Sequence, residues 1–128
     1  MAEPQKITAF LAEDGVVCED KNGVVVKAGG GGPSATDLLL MSVAGCSGAV
    51  LRAVLGKAGY VPESVHITVE GERADKPRRF SRLFVSYDVV CPGLDRETLH
   101  TSIEATEKAC PVIQTLSAKV EFKFELKG

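Results

Sequence analysis

Two cysteines, Cys46 and Cys110, have the surroundings best suited to chemistry in this chain. Cys46 lies in the uncharged stretch LLLMSVAGCSGAVL, where small neighbours leave room for another molecule to approach. Cys110 precedes Pro111, and proline favours the first position of a helix, so Cys110 is predicted to cap a short helix. A thiol at a helix N-terminus ionises more readily than a free thiol, so local reasoning favours Cys110 as the thiolate.

The alternative interpretation is that these cysteines only fill space, because free cysteine is among the most buried residue types. We keep that interpretation for Cys18 and Cys91, which fall in predicted strands. The four cysteines show no Cys-X-X-Cys motif and no regular spacing, which predicts no zinc site, no other metal and no cofactor. The N-terminal sequence has no signal-peptide pattern. We therefore expect a cytoplasmic protein, where structural disulfides are rare.

Other candidate sites are weaker. The glycines at 29–32 match no nucleotide-binding pattern. A basic cluster at 76–82 is interpreted as a solvated turn, because no aromatic platform accompanies it and the net charge is −2. His66 and His100 are interpreted as surface residues. The longest uncharged run, Leu38 to Leu51, is shorter than the roughly 20 residues of a membrane helix. We expect neither nucleic-acid nor membrane binding.

The pattern of elements predicts an α+β protein with a mostly antiparallel sheet and one domain over residues 1–128. Residues 6–27 are predicted to form an antiparallel meander. A helix is predicted from Ala35 to Ala58, with Ser34 as N-cap and Asp37 placed for a capping box. A long hairpin, a helix capped by Asp95, a short helix after Pro111 and a final strand complete the chain.

The first predicted helix is apolar on every face, and such a helix is expected to be buried on every face. One small sheet covers only one side of a helix, so the sequence predicts a homodimer that covers the other. In the second helix, an apolar stripe ends at Cys110 and comprises Leu99, Ile103, Thr106 and Cys110.

The chain resembles the OsmC/Ohr superfamily over essentially its whole length. GPSATDLLLMSVAGCSG resembles the first cysteine signature of that family, EKACPVIQTLS the second, and VEGERADKPRRFSRLFVSYDV the hairpin between them. The resemblance implies an intertwined homodimer in which a mostly antiparallel sheet wraps around a long buried central helix.

The same resemblance implies thiol-dependent reduction of organic hydroperoxides, in defence against oxidative stress. Cys46 would be the peroxidatic cysteine and Cys110 the resolving one, which reverses the local ranking of the two thiols. Attack of the thiolate on the peroxide gives a sulfenic acid, which condenses with the second thiol to a disulfide. A dithiol reductant such as a lipoyl group would restore both thiols.

Two positions depart from the pattern of the peroxidases. They carry an arginine in the N-terminal strands, whereas this chain has none before Arg52. Their site glutamate corresponds to Thr36, and Asp37 one residue later matches a less characterised OsmC-like branch. Asp37 is therefore a candidate site residue as well as a candidate cap. The missing arginine keeps open an alternative function, a non-catalytic dimer that binds a small hydrophobic molecule in an apolar interface groove.

Overall fold

The computed structural model describes residues 3–128, which form two compact units divided between Leu39 and Leu40. The elements, in chain order, are β1 (Thr8–Leu11), β2 (Val16–Glu19), β3 (Val25–Ala28), α1 (Ala35–Lys57), β4 (Ser64–Asp75), β5 (Arg78–Val90), α2 (Arg96–Ala109), α3 (Pro111–Thr115) and β6 (Lys119–Lys127). The order confirms the predicted α+β class.

The first unit contains a three-stranded antiparallel sheet in the order β1-β2-β3, as predicted. The turn between β2 and β3 is held by Asp20, whose carboxylate accepts hydrogen bonds from the backbone N–H groups of Asn22 and Val24. Gly23 follows with a φ of 82°, a conformation that favours glycine. Six large apolar side chains of this unit are exposed: Ile7, Phe10, Leu11, Val24, Val25 and Val26.

The second unit is built on a sheet in the order β4-β5-β6. The predicted hairpin is confirmed by the antiparallel pairing of β4 and β5, whereas β6 pairs with β5 in parallel. The chain passes through α2 and α3 between these two strands, and such a crossover brings a strand back in parallel. Alternate side chains of β5 form the centre of the core: Leu83, Val85, Tyr87 and Val89. The core is therefore mainly aliphatic, as expected, with one buried tyrosine.

Helix α2 begins where the sequence predicts. Asp95 is its N-cap and accepts a hydrogen bond of 3.1 Å from the backbone N–H of Thr98. The predicted stripe of α2 is confirmed, since Leu99, Ile103, Thr106 and Cys110 are all buried. Cys110 ends α2 and also occupies the N-cap position of α3, followed by Pro111. One residue thus fixes the junction of the two helices.

Helix α1 begins at Ala35, and the Ser34 hydroxyl accepts a hydrogen bond of 3.1 Å from the backbone N–H of Asp37. Gly59, with a φ of 90°, follows its C-terminal end. In the single chain only one side of this helix is buried, so burial of its other faces by a second copy stays a prediction. The buried residues form a single stripe at intervals of four: Val43, Ser47, Leu51 and Leu55.

Within residues 3–128, α1 is the one helix that is long and apolar enough to cross a membrane by length and composition. A core helix of a soluble protein meets the same criterion. The contacts of α1 fit that second description: its buried stripe belongs to the core cluster that contains the side chains of β5.

Candidate thiol site

The fold brings together the two cysteines that the sequence singles out. Cys46 lies in the middle of α1, one residue before the buried stripe position Ser47. Cys110 lies at the junction of α2 and α3. The two thiols lie close enough for Cys46 to influence the ionisation of Cys110. Both cysteines are free thiols; Cys110 is buried and Cys46 is partly exposed.

The environment of Cys110 opposes the easy ionisation expected from its helix-capping position. Burial raises the pKa of the Cys110 thiol, and the neighbouring Cys46 thiol raises it further. The backbone N–H groups of Ile113 and Val112 lower this pKa, but neither makes a capping hydrogen bond to the sulfur. The helix-capping position therefore does not lower the pKa of Cys110 in this fold, because desolvation outweighs the helix N-terminus.

Tyr87 is a polar neighbour of Cys110, and Ser47 and Glu107 lie near Tyr87 in turn. Tyr87, fully buried on β5, is in electrostatic range of both Cys110 and Glu107. Burial raises the pKa of Tyr87 to about 12, and the nearby Ser47 hydroxyl acts in the other direction. Ser47 and Tyr87 are close to each other, but neither hydroxyl completes a hydrogen bond of good geometry. Burial also raises the pKa of Glu107 to about 7.

Glu107 stands on the wall of a cavity of about 410 Å³ between α2, α3 and β6. Its backbone carbonyl accepts a hydrogen bond of 2.9 Å from the side-chain amide of Gln114. The cavity is lined by charged residues from α2 and by apolar residues from α3 and β6, among them Ile113, Val120 and Phe122. The cavity therefore lies beside Glu107, the polar neighbour of Tyr87.

The remaining candidates have the following surroundings. Asp37 is exposed, and its backbone N–H serves the cap of α1. Cys18 lies in β2 and Cys91 directly after β5, where it is buried in the core. His66 and His100 are exposed, as predicted. Within residues 3–128, no group of three or more His, Cys, Asp or Glu side chains could hold a metal ion.

Sequence reasoning missed Ser47, Tyr87 and Glu107. The alternation of side chains along β5 places Tyr87 on the same buried face as Leu83 and Val85, which predicts a buried tyrosine. Glu107 is three residues before Cys110 and therefore on the neighbouring helix surface. Both patterns are visible in the sequence, but the proximity of Tyr87 to Glu107 and Cys110 depends on tertiary packing.

The geometry defines a class of protein. It is an α+β fold with two neighbouring free thiols, one within α1 and one at the junction of α2 and α3. Residues 28–125 match the family described as OsmC-like protein, and the chain belongs to that family. This confirms the resemblance seen in the two cysteine signatures and the hairpin between them.

Individual relatives agree with this assignment. The chain is 28% identical over 119 residues to Peroxiredoxin OsmC of Escherichia coli (strain K12), covering 91% of this chain and 83% of that protein. An OsmC like protein from Mycoplasma pneumoniae has a similar structure, with a TM-score of 0.90 at 18% identity and full coverage of both chains. The Organic Hydroperoxide Resistance Protein OhrB of Bacillus subtilis gives a TM-score of 0.67 at 20% identity, covering 98% of each chain. At such identities the two structures show the shared fold alone.

Proposed function

We propose that this protein reduces organic hydroperoxides with Cys46 as the attacking thiol and Cys110 as the resolving thiol. The observation that carries the proposal is the proximity of the two thiols, which the fold brings together although they are 64 positions apart in the sequence. The raised pKa of Cys110 fits a thiol that stays protonated until it resolves the sulfenic acid. Membership of the OsmC-like family and the relative named a peroxiredoxin support a peroxide-related role.

The proposed reaction has two steps. The Cys46 thiolate attacks the peroxide, the O–O bond breaks, one oxygen stays on sulfur as a sulfenic acid, and the alkoxide takes a proton and leaves as an alcohol. Cys110 then attacks the Cys46 sulfur, the S–O bond breaks, and hydroxide leaves as water with the proton of the Cys110 thiol. The two thiols supply two electrons and end as a disulfide, which an external dithiol reduces by exchange.

Consumption of cumene hydroperoxide with dihydrolipoamide as reductant tests this function. We expect slow turnover, because no arginine precedes Arg52 to favour the thiolate. Cys46→Ser should abolish the reaction and Cys110→Ser should prevent formation of the intramolecular disulfide. Cys18→Ser, a half-buried cysteine on β2, is the matched control and should keep the activity. Full activity of Cys46→Ser would overturn the proposal.

We also propose that the protein is a homodimer in the cytoplasm. Large apolar side chains remain exposed on the single chain, both in the first unit and at Met41 of α1. Outward apolar surface of this extent marks an interaction site in a protein that stays in solution. A second copy is the partner that the family resemblance implies. Asp37 remains a proposed site residue on the same resemblance, and its test is given below.

The second candidate function is binding of a small hydrophobic molecule at the dimer interface. The lack of an N-terminal arginine favours it over catalysis, since such a binding site needs no thiolate. The two functions differ in their dependence on sulfur. A non-catalytic binding protein would bind an apolar fluorescent probe equally well after Cys46→Ser, and it would show no hydroperoxide consumption in either form.

A further inference from the structure

The cavity of about 410 Å³ between α2, α3 and β6 is bordered by a carboxyl group that has no counter-charge. This group belongs to Glu107, whose Oε2 atom is buried without a hydrogen-bond partner. Within residues 3–128, no lysine, arginine or histidine forms an ion pair with Glu107, although Lys108 lines the same cavity. A polar group that leaves water without a partner costs free energy, so native proteins keep few of them. Glu107 is therefore a candidate for binding a ligand.

The rest of the cavity suits an apolar ligand body. Most of its other lining side chains are apolar and come from α3, from β6 and from the connection between them: Ile113, Leu116, Ala118, Val120 and Phe122. Its volume lies in the range of small-molecule sites, roughly 300–1,000 Å³. An apolar lining next to one unpaired carboxyl fits a ligand that combines an apolar body with a single positively charged hydrogen-bond donor.

We propose that this cavity binds a small primary amine with an apolar body, and that the ammonium group of the amine pairs with the carboxylate of Glu107. The ammonium group donates hydrogen bonds to the carboxylate, and the body of the ligand covers the apolar lining. Neither Cys46 nor Cys110 lines the cavity, so the site is separate from the thiol pair. The inference therefore goes beyond the proposed function and does not depend on it.

The other charged and titratable groups near the cavity leave this role to Glu107. Glu104 is exposed and already has a partner, because its Oε1 lies 3.3 Å from Nδ1 of His100. Lys108 is exposed, so solvent and salt screen its charge. Tyr87 of β5 is in electrostatic range of Glu107 but is neutral near pH 7, since burial raises its pKa to about 12. The lining residues of α3 and β6 carry no charge.

Binding of the amine should depend on pH in a direction that the environment of Glu107 sets. Burial raises the pKa of Glu107 to about 7, so at pH 6 most molecules hold a proton that they must release before the ion pair forms. At pH 8 most molecules are already ionised, and an alkylamine keeps its charge at both pH values. The affinity for the amine should therefore rise about tenfold from pH 6 to pH 8.

Two ligands that share a six-carbon body, n-hexylamine and 1-hexanol, test the site. NMR titration of the ¹⁵N-labelled protein measures both affinities, and the shifted amide signals should belong to α2, α3 and β6. At pH 8 hexylamine should bind about tenfold more tightly than hexanol, because a charge-assisted hydrogen bond is stronger than a neutral one.

Glu107→Gln should weaken hexylamine binding at pH 8 about tenfold, leave hexanol binding unchanged and remove the pH dependence. Glu104→Gln is the matched control, because this glutamate lies on the same helix and lines the same cavity. It should keep the affinities of the wild type. Ala118→Phe fills the cavity and should weaken the binding of both ligands about tenfold.

The spectrum of each variant shows whether it is folded, and Glu107→Gln decides the question if Ala118→Phe does not fold. Equal affinity for hexylamine and hexanol would overturn the proposal. So would unchanged hexylamine binding by Glu107→Gln, or tighter binding of hexanoate, the anion of similar size. Hydroperoxide consumption is a separate measurement, so failure of this site would leave the proposed thiol function intact, and failure of that function would leave the site intact.

Discussion

The half-buried carboxyl group of Glu107 gives the protein a pH-dependent stability of unusual sign. Its pKa is raised from 4.5 to about 7, so between these values the folded protein holds a proton that the unfolded chain releases. The contribution of this group to stability is full below pH 4.5 and is lost as the pH rises through 7. An ordinary salt-bridged carboxylate behaves in the opposite way.

Glu107→Gln cannot ionise and should remove this dependence. Relative to the variant, the wild-type protein should become less stable as the pH rises from below 4.5 to above 7. Because solvent reaches part of the Glu107 side chain, we predict the direction of this difference in stability and not its size. Thermal unfolding of both proteins at the two ends of this range measures it. A wild type that gains stability relative to Glu107→Gln at the higher pH would contradict the burial of this carboxyl.

Cys110 shows what sequence can and cannot decide for a single residue. Its place before Pro111 correctly predicts the N-cap of α3. The acidity of its thiol was misjudged because the apolar surroundings come from elements far away in the sequence. Desolvation by these neighbours depends on tertiary packing, which no local pattern reports. The orphaned hydroxyl of Tyr87 escaped prediction for the same reason.

At the level of elements, the start of α1 separates the two roles of Asp37. Ser34 caps the helix by accepting the backbone N–H of Asp37, which needs no carboxylate. Asp37→Asn should therefore lower the free energy of unfolding only by the lost charge–dipole interaction, about 0.5 kcal/mol. Ser34→Ala should cost more, about 1 kcal/mol, because it removes the cap itself.

Alkylation of Cys46 completes this test. If Asp37 serves the helix alone, Asp37→Asn should leave the alkylation rate of Cys46 equal to that of the wild type. Denaturant unfolding gives the stability of both variants, and a fluorescent maleimide in a Cys18→Ser background gives the rate. A large change in alkylation with unchanged stability would place the Asp37 carboxylate in the active site.

Helix and strand boundaries were predictable where capping and turn chemistry are local. Ser34, Asp95 and the glycine turn at Gly23 all lie at the ends of elements that the sequence predicts. The parallel pairing of β6 with β5 was not specified, because an alternating strand pattern fixes which face is buried but not its direction. Because the sequence of α1 is apolar on every face, it did not indicate which face would form the single buried stripe.

At the scale of the whole molecule, the apolar surface of the first unit predicts the effect of one substitution. Leu11 at the end of β1 is 85% exposed in the single chain, beside other apolar residues of that sheet. If a second copy covers this sheet, Leu11→Asp should shift the protein from dimer to monomer, because a buried unpaired charge is costly. Sedimentation equilibrium at low micromolar concentration measures the shift.

Val61→Asp is the control for this experiment. Val61 is as exposed as Leu11, at 87%, but it lies in the connection between α1 and β4, outside any strand or helix. It should leave the association state unchanged. A wild-type protein that sediments as a folded monomer would contradict the homodimer itself.

The proximity of Cys46 and Cys110 would allow the chain two covalent forms, one open and one closed by a disulfide. A bond between these residues would close a loop of about 64 residues, half the length of the protein. Closing a loop of that size restricts the unfolded chain and stabilises the folded one by about 4 kcal/mol. The oxidised protein should therefore melt at a higher temperature than the reduced protein, and Cys110→Ser should lose the difference. In each catalytic cycle the chain would change from the open form to the disulfide-closed form and back. The melting temperature of the protein would then be higher after exposure to peroxide.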